Sequence, residues 1–236
     1  VTLKMDSIRP LHLMYGDLLL APAKFNEVDP PFNPAEFDFK NHLANRVTYL
    51  SSSMGIVNFS IPKSLVLKFH HFKPFENFIE TGTYLGGTTF WAAKHFPKVY
   101  TIEIDEQLSK AAASQSDCPE NIEFLVGDSK TVLPSLLQGS VAGSCLFWLD
   151  GHWCSGGGGK EQECPLLDEL EAIQSKQDSL ILIDDARCFL GPLPLPHEAS
   201  HWPRIDEIFR KITELFPTHK FTILDDVIVI LPPEYL

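Results

Sequence analysis

From Phe75 onward, short apolar runs alternate with stretches of helical period. The apolar runs read as strands over Asn77–Thr81, Val99–Ile104, Ile122–Val126, Ser144–Leu149, Leu180–Asp184, Phe221–Leu224 and Val227–Leu231. Between them, helical spacing appears near Thr88–His95, Glu106–Ser114, Lys130–Leu137, Pro165–Lys176 and Arg204–Phe216. Pro165 suits a first helical turn, where a missing N–H costs little, and Leu166, Leu167, Leu170 and Ile173 then form one apolar face. Such alternation predicts an α/β fold of βαβ units around a mostly parallel seven-stranded sheet, with helices on both faces. Only Asp225-Asp226 separates the last two strands, so they must pair antiparallel and close the sheet in a hairpin.

Residues 1–73 have a different texture, with weak periodicity and clustered prolines such as Asp29-Pro30-Pro31-Phe32-Asn33-Pro34. They read as a helical and irregular extension ahead of a domain spanning 74–236. Asn41–Leu50 is a candidate helix with Leu43, Val47 and Leu50 on one side, and Leu65–Phe72 a second one leading into the first strand. Capping an active site, forming a homodimer and extending the core all remain open for this region. Gly156–Gly159 is the low-complexity piece and reads as a loop.

The 236 residues allow one large domain or a domain with an appendage, and 44% hydrophobic content suits a globule with a sizeable core. A formal charge of −12 without a basic stripe argues against a nucleic-acid partner and against an anionic membrane surface. Five cysteines, an odd number without a CxxC pair, point away from a disulfide framework or structural zinc and toward reduced thiols in the cytoplasm. No run approaches the ~18 apolar residues of a membrane span. Leu11–Ala23 is interrupted by Asp17 and has a thin basic leader, so it is not read as a signal peptide.

The chemistry begins at Phe78-Ile79-Glu80-Thr81-Gly82-Thr83-Tyr84-Leu85-Gly86-Gly87-Thr88-Thr89, a buried strand running through a glycine turn into a helix. Gly82 and Gly86 let the backbone approach a ligand where a β-carbon would clash. Glu103, ending the strand of Val99-Tyr100-Thr101-Ile102-Glu103-Ile104-Asp105, lies about twenty residues past the first glycine and suits the two hydroxyls of a ribose. The pairing indicates a nucleoside cofactor. The spacing Gly82-x-x-x-Gly86-Gly87 is not that of a dinucleotide fingerprint, and Glu80 would repel a pyrophosphate but welcome an amino group or a sulfonium.

Glu80-Thr81-Gly82-Thr83-Tyr84-Leu85-Gly86 resembles motif I of the class I S-adenosylmethionine-dependent methyltransferases, and the resemblance covers about residues 75–231. It implies a Rossmann-like seven-stranded sheet with a terminal antiparallel hairpin. It also implies that Glu80, Thr81, Gly82, Thr83, Tyr84 and Gly86 line the methionine part, that Glu103 and Ile104 hold the ribose side, and that Gly127-Asp128-Ser129 contacts adenine. Asp128 has a second reading, as the cap of the helix starting near Lys130.

Two later strands end in carboxylates: Asp150, followed by Gly151-His152-Trp153, and the pair Asp184-Asp185. Parallel strands would gather these at one sheet edge, where three carboxylates repel one another unless a cation or donors compensate them. Oxygen ligands suit Mg²⁺, with Mn²⁺ or Ca²⁺ as relatives. The arrangement resembles that of metal-dependent O-methyltransferases of the catechol and macrocin sugar types. That resemblance implies Asp150, Asp184 and Asp185 as ligands of a Mg²⁺ that binds a vicinal diol, catechol or sugar acceptor, with Asp150 also lining the cofactor side and catalytic centre. His152 is the candidate base, or a ligand, a substrate contact or an ordinary histidine, and Trp153 is either an acceptor wall or packing. Gly151 and the loop Ser155–Lys160 depart from the small catechol-type pattern. Arg187 offers a rival to the metal, as the cation of a salt-bridged cluster with Asp150. His197 and His201 lie in the proline-rich segment Gly191–Pro203, which is placed to border the acceptor. Metal-independent transfer to nitrogen or carbon, aminopropyl transfer and a non-catalytic S-adenosylmethionine-binding subunit are the rival functions.

Overall fold

The central strands form because their runs are buried on both faces. In the computed structural model, which describes residues 60–139, 141–153, 159–191, 193 and 196–235, the apolar runs become β1 (Asn77–Thr81), β2 (Lys98–Glu103), β3 (Ile122–Val126), β4 (Cys145–Leu149), β5 (Leu180–Ile183), β6 (Lys220–Leu224) and β7 (Val227–Leu231). Every residue of β1, β4, β5 and β7 is buried, the signature of central strands covered above and below. The helices are α1 (Lys63–Phe72), α2 (Gly87–Ala93), α3 (Glu106–Ala113), α4 (Ser129–Gly139), α5 (Leu166–Ile173) and α6 (Ile205–Leu215). One sheet has the order β3-β2-β1-β4-β5-β7-β6, parallel through β5, with β7 antiparallel to both β5 and β6. The expected hairpin turns at Asp225 (φ 51°) and Asp226 (φ 66°), the paired left-handed conformation of a tight two-residue turn.

Side chains alternate across the pleat and divide the core into two layers. Ile79, Ile102, Phe147 and Ile181 pack on one face with Leu133 of α4, Leu170 of α5 and Ile212 of α6. Phe78, Val99, Leu146, Trp148 and Leu182 pack on the other with Val66 of α1 and Ala92 of α2. The helix expected at Leu65–Phe72 is thus α1, and it belongs to the second layer. Tyr235 Oη donates to the carbonyls of Phe69 and Lys73, while Lys73 pairs with Glu234, so the last turn of the chain grips α1. The Asn41–Leu50 expectation and most of the glycine loop lie outside the described residues.

Cys118, Cys145, Cys164 and Cys188 are free thiols, and burial pushes Cys145 up to about 11 and Cys164 and Cys188 up to about 12. Among the described residues no helix is long and apolar enough to cross a membrane.

Candidate functional site

Strand order reverses between β1 and β4, and open α/β sheets bind ligands at the carboxyl edge beside such a point. The turn after β1 is shaped for close approach. Gly82 (φ +87°), Tyr84 (φ 47°) and Gly86 (φ +78°) are left-handed within five residues. An ideal β-carbon on Gly82 would lie 2.2 Å from the carbonyl oxygen of Asp150, so the tip of β4 leaves room only for glycine.

Glu103, at the tip of β2, ties this turn to the next one. Its Oε2 accepts the N–H of Tyr84 at 2.8 Å and its Oε1 the N–H of Asp105 at 3.0 Å. A carboxylate offers about four acceptor positions, so each oxygen keeps capacity for a ligand hydroxyl. Tyr84, Leu85, Ile104 and Val126, at the carboxyl ends of β1, β2 and β3, are large apolar side chains left exposed, Tyr84 at 65%. Apolar surface beside a carboxylate with spare acceptor capacity is the kind of surface that suits the two halves of a nucleoside.

Glu80 sits differently from what its sequence position suggests. Its carboxyl is 1% exposed and lies beneath the turn, where Thr89 and Thr101 donate their hydroxyls to Oε2 at 2.5 and 2.8 Å. Thr101 also meets the Thr83 hydroxyl at 2.6 Å. Burial pushes Glu80 up to about 7 against the pull of these hydroxyls. The acid braces the turn from inside, and any effect on a cationic ligand passes through that turn.

On the neighbouring strand tip, Gly127 (φ +140°) leads into Asp128, whose Oδ1 accepts the N–H of Lys130 at 3.0 Å. The capping role of Asp128 is therefore real, and its Oδ2 pairs with Lys130 Nζ at 3.3 Å. Lys130 also bonds Gln162, which carries the chain after the glycine loop past this edge.

Ser129 and Thr81 turn their hydroxyls toward Glu169 of α5, a residue sequence reasoning missed. Glu169 is 2% exposed, burial pushes it up to about 7, and its Oε1 has no hydrogen-bond partner among the described residues. A cavity of ≈ 10 Å³, room for one water at most, lies between it and His152. The signal was present: Leu166, Glu169 and Ile173 share the i, i+3, i+7 stripe that faces the core.

Glu80 and Glu169 give a pH prediction. Both are raised above their unfolded value, so the stability they allow is complete in the acid range and is lost as pH rises through about 7. The melting temperature should fall by about 5 °C or more between pH 5.5 and 8.5, and Glu80→Gln should flatten that slope. A wild-type melt independent of pH in this window refutes the assignment.

The acids after β4 and β5 do come to one edge. Asp184 is 4% exposed, and burial and the neighbouring Asp185 push it above the usual carboxylate range. Asp185 (φ 55°) is held below the usual carboxylate range although burial opposes this, because His152 and Arg187 compensate it. His152 Nε2 lies 3.1 Å from Asp185 Oδ2 and Nδ1 lies 3.7 Å from Asp150 Oδ1. Arg187 Nη1 reaches Asp185 Oδ1 at 2.7 Å and also bonds Asp226 in the β6–β7 turn, which in return accepts the N–H of Arg187 at 2.9 Å. Arg187 does form a salt-bridged cluster, but the ion pairs that define it run to Asp185 and to Asp226 of the hairpin turn, where Asp150 was the expected partner.

This arrangement does not fit a divalent ion as it stands. Asp185, one of the three expected ligands, is already engaged by a guanidinium and an imidazole, and among the described residues no group of three or more acids, histidines or cysteines is placed to hold a metal.

The sequence matches no protein-family model and no curated protein. Solved structures do resemble the fold. The O-methyltransferase TomG of Streptomyces achromogenes, in complex with SAM, is 15% identical with a TM-score of 0.50, over 84% of this chain and 91% of its own. The SAH-bound methyltransferase PaMTH1 of Podospora anserina is 14% identical with a TM-score of 0.53, over 88% and 99%. An O-methyltransferase of Bacillus cereus in complex with SAH is 13% identical with a TM-score of 0.52, over 86% and 93%. With its strand order and terminal hairpin, the chain has the Rossmann-like fold of the class I methyltransferases.

Proposed function

We propose that this protein is an S-adenosylmethionine-dependent methyltransferase acting on a hydroxyl of a small molecule, with a vicinal diol, catechol or sugar as the acceptor class. The observation that carries the reading is Glu103, a nearly buried carboxylate at the tip of β2 that is fastened to the glycine turn and keeps acceptor capacity for a ribose. The solved neighbours named above bind SAM or SAH on the same fold, two of them as O-methyltransferases.

When bound, S-adenosylmethionine supplies a methyl group on a positively charged sulfur. The chain's own residues do the rest. Glu103 holds the ribose hydroxyls, Tyr84, Ile104 and Val126 offer apolar surface to the base, and Gly127, Asp128 and Ser129 border its edge. Asp185 accepts from His152 Nε2–H and so fixes the tautomer in which Nδ1 takes the acceptor's proton. Arg187, held by Asp185 and Asp226, keeps positive charge beside the oxyanion that results. No step is assigned to Mg²⁺, because Arg187 and His152 already compensate Asp185. That favours metal-independent transfer as the form this chemistry takes here.

Titration of the protein with S-adenosylhomocysteine in a calorimeter, with and without Mg²⁺, tests the reading. Saturable micromolar binding in both conditions is expected, and absence of binding in both overturns the cofactor assignment. Methyl transfer to a panel of diols should survive excess EDTA. Loss of transfer under EDTA, restored by Mg²⁺, would show that Arg187 yields Asp185 to a metal.

A further inference from the structure

Glu163 takes no part in the chemistry described so far, yet three donors converge on it. Its side chain is fully buried. Oε2 meets His197 Nδ1 at 2.8 Å and Trp202 Nε1 at 2.7 Å, and Oε1 accepts the N–H of Glu198 at 2.9 Å. His201 Nδ1 lies farther out, at 3.8 Å from Oε1. The backbone of the same residue faces the other way: its carbonyl accepts the N–H of Trp153 at 2.7 Å. Glu163 thus joins two segments distant in sequence, the loop after β4 and the stretch 197–202 ahead of α6.

The rings on those segments meet above the proposed base. Trp202 lies 5.2 Å from His152, ring centre to ring centre, and His197 lies 5.3 Å from Trp153. His152 is therefore held by Asp185 on one side and by Trp202 on the other, and Trp202 hangs on Glu163. We propose that Glu163 is a positioning residue whose carboxylate fastens the 197–202 segment to the loop after β4 and so sets where His152 stands. The proposal rests on the reading of His152 as the group that faces the acceptor.

The chemistry demands a carboxylate at this position. Glutamine presents one oxygen and one NH₂ group, so one N–H must face the NH₂ in either orientation. With the NH₂ in place of Oε1 it opposes the Glu198 N–H. In place of Oε2 it opposes Trp202 Nε1–H, although His197 can switch tautomer and accept. Removing the indole N–H with Trp202→Phe leaves the second orientation free of conflict. The damage done by Glu163→Gln should therefore depend on which residue stands at 202, a dependence that general loss of stability does not produce.

The test is a cycle on the full chain: wild type, E163Q, W202F and E163Q/W202F. It reads amide exchange over 150–153 and 197–202 and the ring-proton resonance of His152, which feels the ring current of residue 202. In the wild-type background E163Q should raise exchange in both segments by about tenfold and move the His152 resonance, with β1 and β4 unchanged. In the W202F background the same substitution should change exchange less than about threefold and leave the His152 resonance near that of W202F alone. Should E163Q alone not fold, folding of the double variant is the expected rescue. Equal effects in both backgrounds, loosening of β1 and β4, a still His152 resonance in E163Q, or a double variant that also fails to fold would each overturn the proposal. S-adenosylhomocysteine titrations on the same proteins separate the two readings. Failure of the wild type to bind overturns the methyltransferase assignment, while the exchange cycle judges Glu163 without any ligand.

Discussion

Glu103→Gln is expected to weaken S-adenosylhomocysteine binding by about 100-fold, the loss that follows when hydrogen bonds from two ribose hydroxyls to a charged acceptor are downgraded. The effect has a second source. Glu103 receives the N–H of Tyr84 on one oxygen and that of Asp105 on the other, and an NH₂ group in either place opposes one of them. Tyr84 is already left-handed, so the turn has little reason to keep its shape once that bond is lost. Calorimetry with purified variant and wild type gives the result directly, with circular dichroism to show that the sheet is intact. A variant binding within threefold of wild type would remove Glu103 from the ribose role and leave it as a brace between two turns.

Gly82→Ala should cost about 3 kcal/mol or more of folding stability and abolish ligand binding with it. Two penalties combine: a left-handed backbone that alanine resists, and a β-carbon 2.2 Å from the Asp150 carbonyl oxygen, where neither strand tip can retreat without breaking the β1–β4 ladder. Gly87 provides the control. A β-carbon there meets nothing within 4 Å and the residue opens α2, so Gly87→Ala should be neutral or slightly stabilising. Urea unfolding of both variants checks the pair. Equal stabilities would mean that the β1 turn is far more yielding than its contacts with β4 indicate.

The central strands β4, β5 and β7 were legible because burial on both faces writes them as unbroken apolar runs. Asn77–Thr81, Ile122–Val126 and Val227–Leu231 fall at the bounds read from the sequence. Elsewhere the ends move by a residue or so, as at Lys98 and Lys220, where a charged side chain belongs to the ladder although it breaks the apolar run. The acidic tips of β2, β4 and β5 were legible for a related reason: a carboxylate directly after a buried run has to stand at the sheet edge.

What the sequence hid are partners brought together by folding. Asp226 looks complete as a turn residue, and nothing local announces that Arg187, 39 positions earlier, will lean on it. Glu163 sits among charged loop residues, and its donors come from 34 to 39 positions downstream. Glu80 misled in a subtler way. Its place in the motif was clear, but the threonines that draw it under the turn lie on α2 and β2, so its direction was not.

The order in which the sheet is made has its own consequence. β7, the last strand of the sheet in the chain, lies in its interior between β5 and β6. During synthesis β5 emerges with an edge that, among the described strands, is paired only once Val227–Leu231 has left the ribosome. A nascent chain stalled before that point carries the parallel strands β1 to β5 as an unfinished sheet with an adhesive margin at β5. Arg187 would meanwhile wait for Asp226, so the charge arrangement beside His152 is assembled only when the final hairpin docks.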